Sequence, residues 1–170
     1  MKKIIYEIIK EPLGLIGLAL VSLVIFLSFG ADLFSPFAPS QINIRDKLQN
    51  PSLIHILGTD QLGRDLFSRV LYGGRIALKV ALISIFISMI IGIFVGIAAA
   101  IGKKWLDNFL LFIFDAIRSF PTIMFALAIV TLFGPSLETI IFIVILTQSP
   151  IYARIVRTQT LMVINSEYIQ

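Results

Sequence analysis

Thr59, Asp60, Arg64, Asp65, Ser68 and Arg69 crowd a short strip that also holds Gly58 and Gly63 and runs to a Gly73-Gly74 break and Arg75. Carboxylates, guanidinium groups and hydroxyls at this spacing suit ion pairing and helix capping rather than bond-making. Thr59 or Asp60 can cap a helix start by accepting a free backbone N–H, and Asp65 and Arg69, four apart, can pair on one helix face. Reactive sets are missing from the sequence. There is no cysteine, hence no disulfide, thiolate metal site or thiol nucleophile. No GxxxxGK[ST] loop is present for phosphates, and no GxSxG elbow or assignable Ser/His/Asp set. His55 is the single histidine, and a lone loop histidine reads as solvated, because a metal needs convergent ligands. Asp115 and Glu138 are the acids in or near apolar runs. Asp115 has Arg118 three residues on and Glu138 sits at a helix start, so both read as structural rather than as a proton relay.

The elements that must position these residues are apolar. The chain has 170 residues, of which 58% are hydrophobic and 14% charged, and its mean hydropathy is +0.97. Soluble domains carry about 25% charged residues, so this surface suits a bilayer and the fold class expected is an all-α polytopic membrane protein. The net charge of +4 does not argue for nucleic acid, because the basic residues stand at the ends of apolar runs, as membrane insertion favours.

Residues 1–12, with Lys2, Lys3 and Lys10, precede a first span at 13–31. That run is close to the roughly 20 residues a crossing needs and longer than a signal peptide's apolar centre. Residues 32–75 form a loop broken by Pro36, Pro39 and Pro51, and its later part reads as a short amphipathic helix from Thr59 or Asp60, with Leu66, Phe67, Val70 and Leu71 on the apolar face. The second span, 76–102, places Ser84, Ser88, Gly92, Gly96 and Ala100 every fourth residue, a face on which another helix backbone can approach closely. Residues 103–133 form a turn at Lys103-Lys104, Trp105 at an interface position and a third span kinked at Pro121. Ser136 caps the fourth span, 134–153, where Pro150 frees a carbonyl that Gln148 or Ser149 can occupy. Arg154 and Arg157 mark its exit into 154–170.

Leu57–Lys79 resembles the LGTDxxGRDxxSR signature of permease subunits of dipeptide, oligopeptide and nickel ATP-binding-cassette importers. The resemblance continues through Trp105-Leu106-Asp107, Asp115 with Phe120-Pro121, Phe133-Gly134-Pro135-Ser136 and Tyr152-Ala153-Arg154-Ile155-Val156-Arg157. Ser166, Glu167, Tyr168, Ile169 and Gln170 are similar to the start of the family's EAA loop, which docks on the ATPase. Two departures stand out: Ser149 where the family often has Trp, and Gly102-Lys103-Lys104 in place of a Gly-rich turn.

The resemblance implies an inner-membrane subunit with no catalytic residue and no cofactor of its own, ATP being bound by partners. Those partners would be a homologous permease, two ATPase subunits and an extracytoplasmic binding protein. Substrate would be a dipeptide, an oligopeptide or a nickel chelate. It also implies six spans, so a chain with four that stops in the EAA loop is expected to be a fragment or a decayed remnant. Basic span ends place the N-terminus, Lys103-Lys104 and the C-terminus in the cytoplasm. A proton-coupled carrier using Asp115 or Glu138, and a non-transporting membrane protein held by the Ser84–Ala100 stripe, remain open alternatives.

Overall fold

A computed structural model describes residues 11–166, so the expectations for Lys2, Lys3, Lys10, Glu167, Tyr168, Ile169 and Gln170 lie outside the described residues. The described residues are all-helical and fall into two compact units that divide between Lys79 and Val80. Among the described residues three helices are long and apolar enough to cross a bilayer, and a bent pair adds a fourth candidate. This is a polytopic membrane protein.

The first unit opens with α1 (Pro12–Phe29), which has Pro at its first turn, where the missing N–H costs nothing. Eighteen residues at 1.5 Å each give about 27 Å, close to a hydrocarbon core. Leucine, isoleucine and valine cover it on all sides and, Ser28 apart, it buries almost nothing, which suits a helix whose neighbour is lipid. One turn, α2 (Ala31–Phe34), follows Gly30, and a 3-10 turn spans Ile44–Asp46.

The loop after α2 is a folded object. Asn43 N–H donates to Leu62 O at 3.3 Å, Leu48 N–H to Asp60 O at 3.1 Å and Thr59 N–H to Gln49 O at 3.1 Å, so residues 43–49 are laced to 59–62. Gly63 has φ 69°, and a Cβ there would overlap the Asn43 carbonyl oxygen. Only glycine fits both demands.

The short amphipathic helix expected from Thr59 or Asp60 does not form as a separate element. The helix begins at Leu66 and runs unbroken as α3 (Leu66–Ile101) through Gly73-Gly74. Asp60 is occupied elsewhere: its Oδ1 accepts from Leu62 N–H at 2.8 Å and Arg64 N–H at 3.0 Å, which closes a turn. Asp65 caps α3 instead, accepting from Ser68 N–H at 2.7 Å. Interior glycines cost a helix about 1 kcal/mol each. Here Gly74 lies against Ser28, where a Cβ would strike the hydroxyl.

The second unit holds the Val80–Ile101 part of α3, then α4 (Lys104–Ser119), α5 (Thr122–Phe133) and α6 (Leu137–Ile164). Ser136 caps α6, accepting from Thr139 N–H at 3.1 Å, and α6 continues through Pro150. Pro150 has no N–H to donate to the Leu146 carbonyl, and Ser149 Oγ donates to the carbonyl one residue earlier, Ile145 O, at 2.7 Å.

The kinked third span is a break. α4 and α5 meet at 91°, because Phe120 (ψ 136°) and Pro121 (ψ 127°) are both extended and the residue before a proline avoids the helical region. α4 is strongly two-faced, with Lys104, Asp107, Asp115 and Arg118 on one side and Leu106, Phe109, Ile113 and Ile117 on the other, the composition of a helix lying in an interface.

Candidate functional site

In the first unit the signature strip is built around one carboxylate. Asp65 Oδ1 faces His55 Nδ1 at 3.0 Å, and Asp65 Oδ2 accepts from both the backbone N–H and the hydroxyl of Ser68 at 2.7 Å. All three residues are buried. Burial raises the Asp65 pKa, but the Ser68 N–H, the Ser68 hydroxyl and His55 outweigh it and hold the carboxyl below its ordinary range. An ionised acceptor places the proton on Nδ1. The His55 ring also stacks on Phe37, centroids 4.9 Å apart. The expectation of a solvated His55 is therefore corrected: it is 6% exposed because Phe37 and Asp65 cover it.

Histidine, aspartate and serine do converge here, but in the wrong order for hydrolysis. A nucleophilic set puts histidine between the other two, whereas here Asp65 is in the middle. Ser68 Oγ is fully buried, donates to the carboxylate and accepts from Phe37 N–H at 3.3 Å. It is a scaffold.

The expected Asp65–Arg69 pair does not form, since Asp65 is turned over the helix start. Arg69 reaches Asp60 instead, at 3.4 Å, and Arg64 Nε donates to the same carboxylate at 2.7 Å. Partial desolvation pushes Asp60 up, yet the Arg64 and Leu62 N–H groups and the Arg64 guanidinium lower its pKa to about 2. Thr59 is no cap: its hydroxyl donates to Asp46 O and accepts from Gln49 N–H at 2.8 Å. Gly58, like Gly63, has positive φ, 74°.

Sequence reasoning missed a further cluster. Arg75 donates to Ser28 O at 3.1 Å, Phe29 O at 2.9 Å and Asp32 Oδ2 at 2.9 Å, joined by the Tyr72 hydroxyl on Asp32 Oδ1 at 2.8 Å. This ties the last carbonyls of α1 to α3. No local spacing signals it, because Arg75 and Ser28 are separated by more than forty residues.

In the second unit the glycines of α3 meet α6. A Cβ at Gly92 would overlap Tyr152 Cβ, and one at Gly96 would lie 2.5 Å from Ala153 O and 2.8 Å from Val156 Cβ. Ser84 and Ser88 are fully buried and their hydroxyls have no hydrogen-bond partner among the described residues. The stripe does not continue to Ala100: Ala99 is the buried residue, because a four-residue step overshoots 3.6 residues per turn and drifts off the face.

The charges at the other end pair differently from the expected Asp115–Arg118. Arg154 takes Asp115 at 2.5 Å, and Arg157 forks onto both oxygens of Asp107 at 2.6 and 2.5 Å. Arg118 joins no ion pair among the described residues and lines an open cleft of about 350 Å³ at the elbow, with Phe120, Thr122, Thr147 and Gln148. Pro121 makes the elbow itself, and Ser166 Oγ bonds Val163 O at 2.6 Å just past α6. Among the described residues no three acidic or histidine side chains converge as a metal site would require.

This helical unit coincides with a known sequence family. Residues 88–170 match the family described as binding-protein-dependent transport system inner membrane component. That segment of the chain belongs to the family. Relatives of these inner membrane components include the dipeptide transport system permease protein DppC of Alkalihalophilus pseudofirmus, 32% identical over 94% of this chain and 53% of the relative. The glutathione transport system permease protein GsiD of Pectobacterium atrosepticum is 35% identical over 88% of this chain and 50% of the relative. GsiD of Salmonella typhimurium is 35% identical over 95% and 54%. The chain thus spans about half the length of the curated relatives it matches. The relatives are transport permeases, and this chain has helices long and apolar enough to span a membrane, as an inner membrane component requires.

Proposed function

We propose that this chain forms part of the permease of an ATP-driven, binding-protein-dependent importer of short peptides. The observation that carries the reading is the position of the matched segment. Residues 88–170 contain the glycine-lined helix seam, the broken span and the paired Arg–Asp ends, the parts a subunit needs to cross a membrane and answer a push from one side. The names of the relatives favour a peptide over a nickel chelate.

In this reading the chain does no bond chemistry and binds no cofactor. Two ATPase subunits bind and hydrolyse ATP, a homologous permease completes the path, and an extracytoplasmic binding protein delivers the peptide. The N-terminus, Lys103-Lys104 and the residues beyond Arg154 face the cytoplasm, with Ser166–Gln170 opening the segment that meets the ATPase. The strip from Gly58 to Arg69 lies on the opposite face.

A solitary proton carrier is the less favoured reading, since the Asp115 carboxylate is already engaged by Arg154. The test is purification of the tagged protein, as expressed in its own membranes, followed by mass spectrometry of what accompanies it and by uptake of labelled dipeptide in proteoliposomes. A paralogous permease and an ATPase should co-purify, and uptake should require ATP and a binding protein. Uptake driven by a proton gradient without either subunit would overturn the proposal.

A further inference from the structure

The pairing of α4 with α6 points beyond a static packing contact. Asp107 and Asp115 lie eight residues apart on α4, about 12 Å along its axis, and their partners Arg157 and Arg154 lie three apart on α6, about 4.5 Å. One contact between two helices leaves them free to swivel about it. Two contacts at separated points remove that freedom. The Asp107–Arg157 fork is the stronger of the two, because it is bidentate and its side chains are 18% and 24% exposed, while the Asp115–Arg154 pair is 64% and 45% exposed. The same turn of α6 is gripped from another side, where Gly96 admits Ala153, Val156 and Arg157 against the backbone of α3. Residues 153–157 are therefore a junction of three helices. α4 ends only four residues after Asp115, at the 91° elbow, and the elbow residues with Thr147, Gln148 and Ile151 of α6 line the cleft of about 350 Å³.

We propose that Asp107 and Arg157, supported by Asp115 and Arg154, are positioning residues that make α4 and the end of α6 a single lever. A displacement applied beyond Arg157 then turns α4 about the 153–157 junction and changes the cleft at the Phe120–Pro121 elbow. The inference rests on the permease reading above, in which the segment after α6 meets the ATPase. It assigns a role to the Trp-Leu-Asp and Tyr-Ala-Arg-Ile-Val-Arg stretches together: they are two halves of one tie.

The experiment uses the importer assembled with its partner subunits in proteoliposomes, and measures peptide taken up per ATP hydrolysed alongside the amount of assembled complex. Asp107→Asn and Arg157→Asp should leave assembly and ATP hydrolysis in place while uptake per ATP falls about fivefold or more, within the range by which single contacts along such paths alter coupling. The swap Asp107→Arg with Arg157→Asp should restore much of it. A second route does not depend on ion-pair geometry. The chain has no cysteine, so Asp107→Cys/Arg157→Cys can be joined by a short thiol cross-linker. Uptake per ATP should be low before cross-linking and recover after it. Full uptake per ATP in both single variants, or abolition of transport by the cross-link, would overturn the lever. Failure of the permease reading is a separate result, visible in the unsubstituted protein as no ATP-dependent peptide uptake at all.

Discussion

Asp65 holds four things at once: the start of α3 through Ser68 N–H, the Ser68 hydroxyl, the His55 ring and, through that ring, Phe37. Replacing it with alanine removes a cap and leaves buried donors without an acceptor, at a cost of about 1–3 kcal/mol. Asp65→Ala should therefore raise the rate at which protease cuts residues 36–64 in the detergent-purified protein, and His55→Ala should do so less. Asp60 supplies a pH test. Its folded pKa is about 2 against an ordinary 3.8, so its contribution to the strip is complete above about pH 4 and is lost as pH falls through about 2. Hydrogen exchange of the Leu62 and Arg64 amides should stay flat from pH 7 to 4, after correction for intrinsic rates, and accelerate relative to the rest of the loop below pH 3. Loss of protection already at pH 5 would contradict this. Residue types here announced that charges would pair, since Asp and Arg alternate along the strip. The choice of partner was not legible, because the spacing of four assumes Asp65 inside the helix, whereas Gly63 with positive φ delays the helix to Leu66 and leaves Asp65 as its cap.

At the scale of elements, close approach is the dominant fact. Gly96→Val would drive a branched side chain into Ala153 O and Val156, and overpacking of this kind costs about 1–3 kcal/mol. The detergent-solubilised protein should lose several degrees of thermal stability, whereas Gly17→Val on α1, where no atom lies within 4 Å of the Cβ position, should change little. The periodic small residues and the apolar runs made the helices and this seam readable, since both follow from 3.6 residues per turn. Breaks and junctions were not. Proline signals that a helix is disturbed at Pro121 and at Pro150 alike, yet one site breaks through 91° and the other continues. At Pro121 the preceding Phe120 is extended, which ends α4; at Pro150 the helix carries on, with Ser149 bonded to the Ile145 carbonyl and both Ser149 and Pro150 buried.

For the molecule in the membrane, the register of the seam constrains the topology. Gly92 meets Tyr152 and Gly96 meets Ala153, Val156 and Arg157, so residue numbers rise together on both helices. Val80–Ile101 and α6 are parallel. A chain that leaves one span and enters a parallel one recrosses the bilayer between them, and the bent α4–α5 pair is the candidate span that lies between. With no native thiol in the sequence, Lys103→Cys and Pro135→Cys can be labelled singly by an impermeant maleimide. They should react from opposite faces of sealed vesicles, Lys103→Cys from the cytoplasmic face. Reaction of both from one face would mean that α4 and α5 re-enter on the same side. The order of apolar runs made the long apolar helices readable in the sequence; the parallel pairing needed the structure, because helices that touch at Gly96 and Val156 are separated by an entire excursion of the chain.

That register also sets a schedule for biogenesis. When the ribosome has delivered α3, the seat for Tyr152 and Ala153 exists but its occupant has yet to be synthesised. The faces of Gly92 and Gly96, which end against α6, are without that neighbour during the interval. α3 thus enters the bilayer as an unfinished surface, and the seam closes only after the elbow has turned the chain back and α6 has followed.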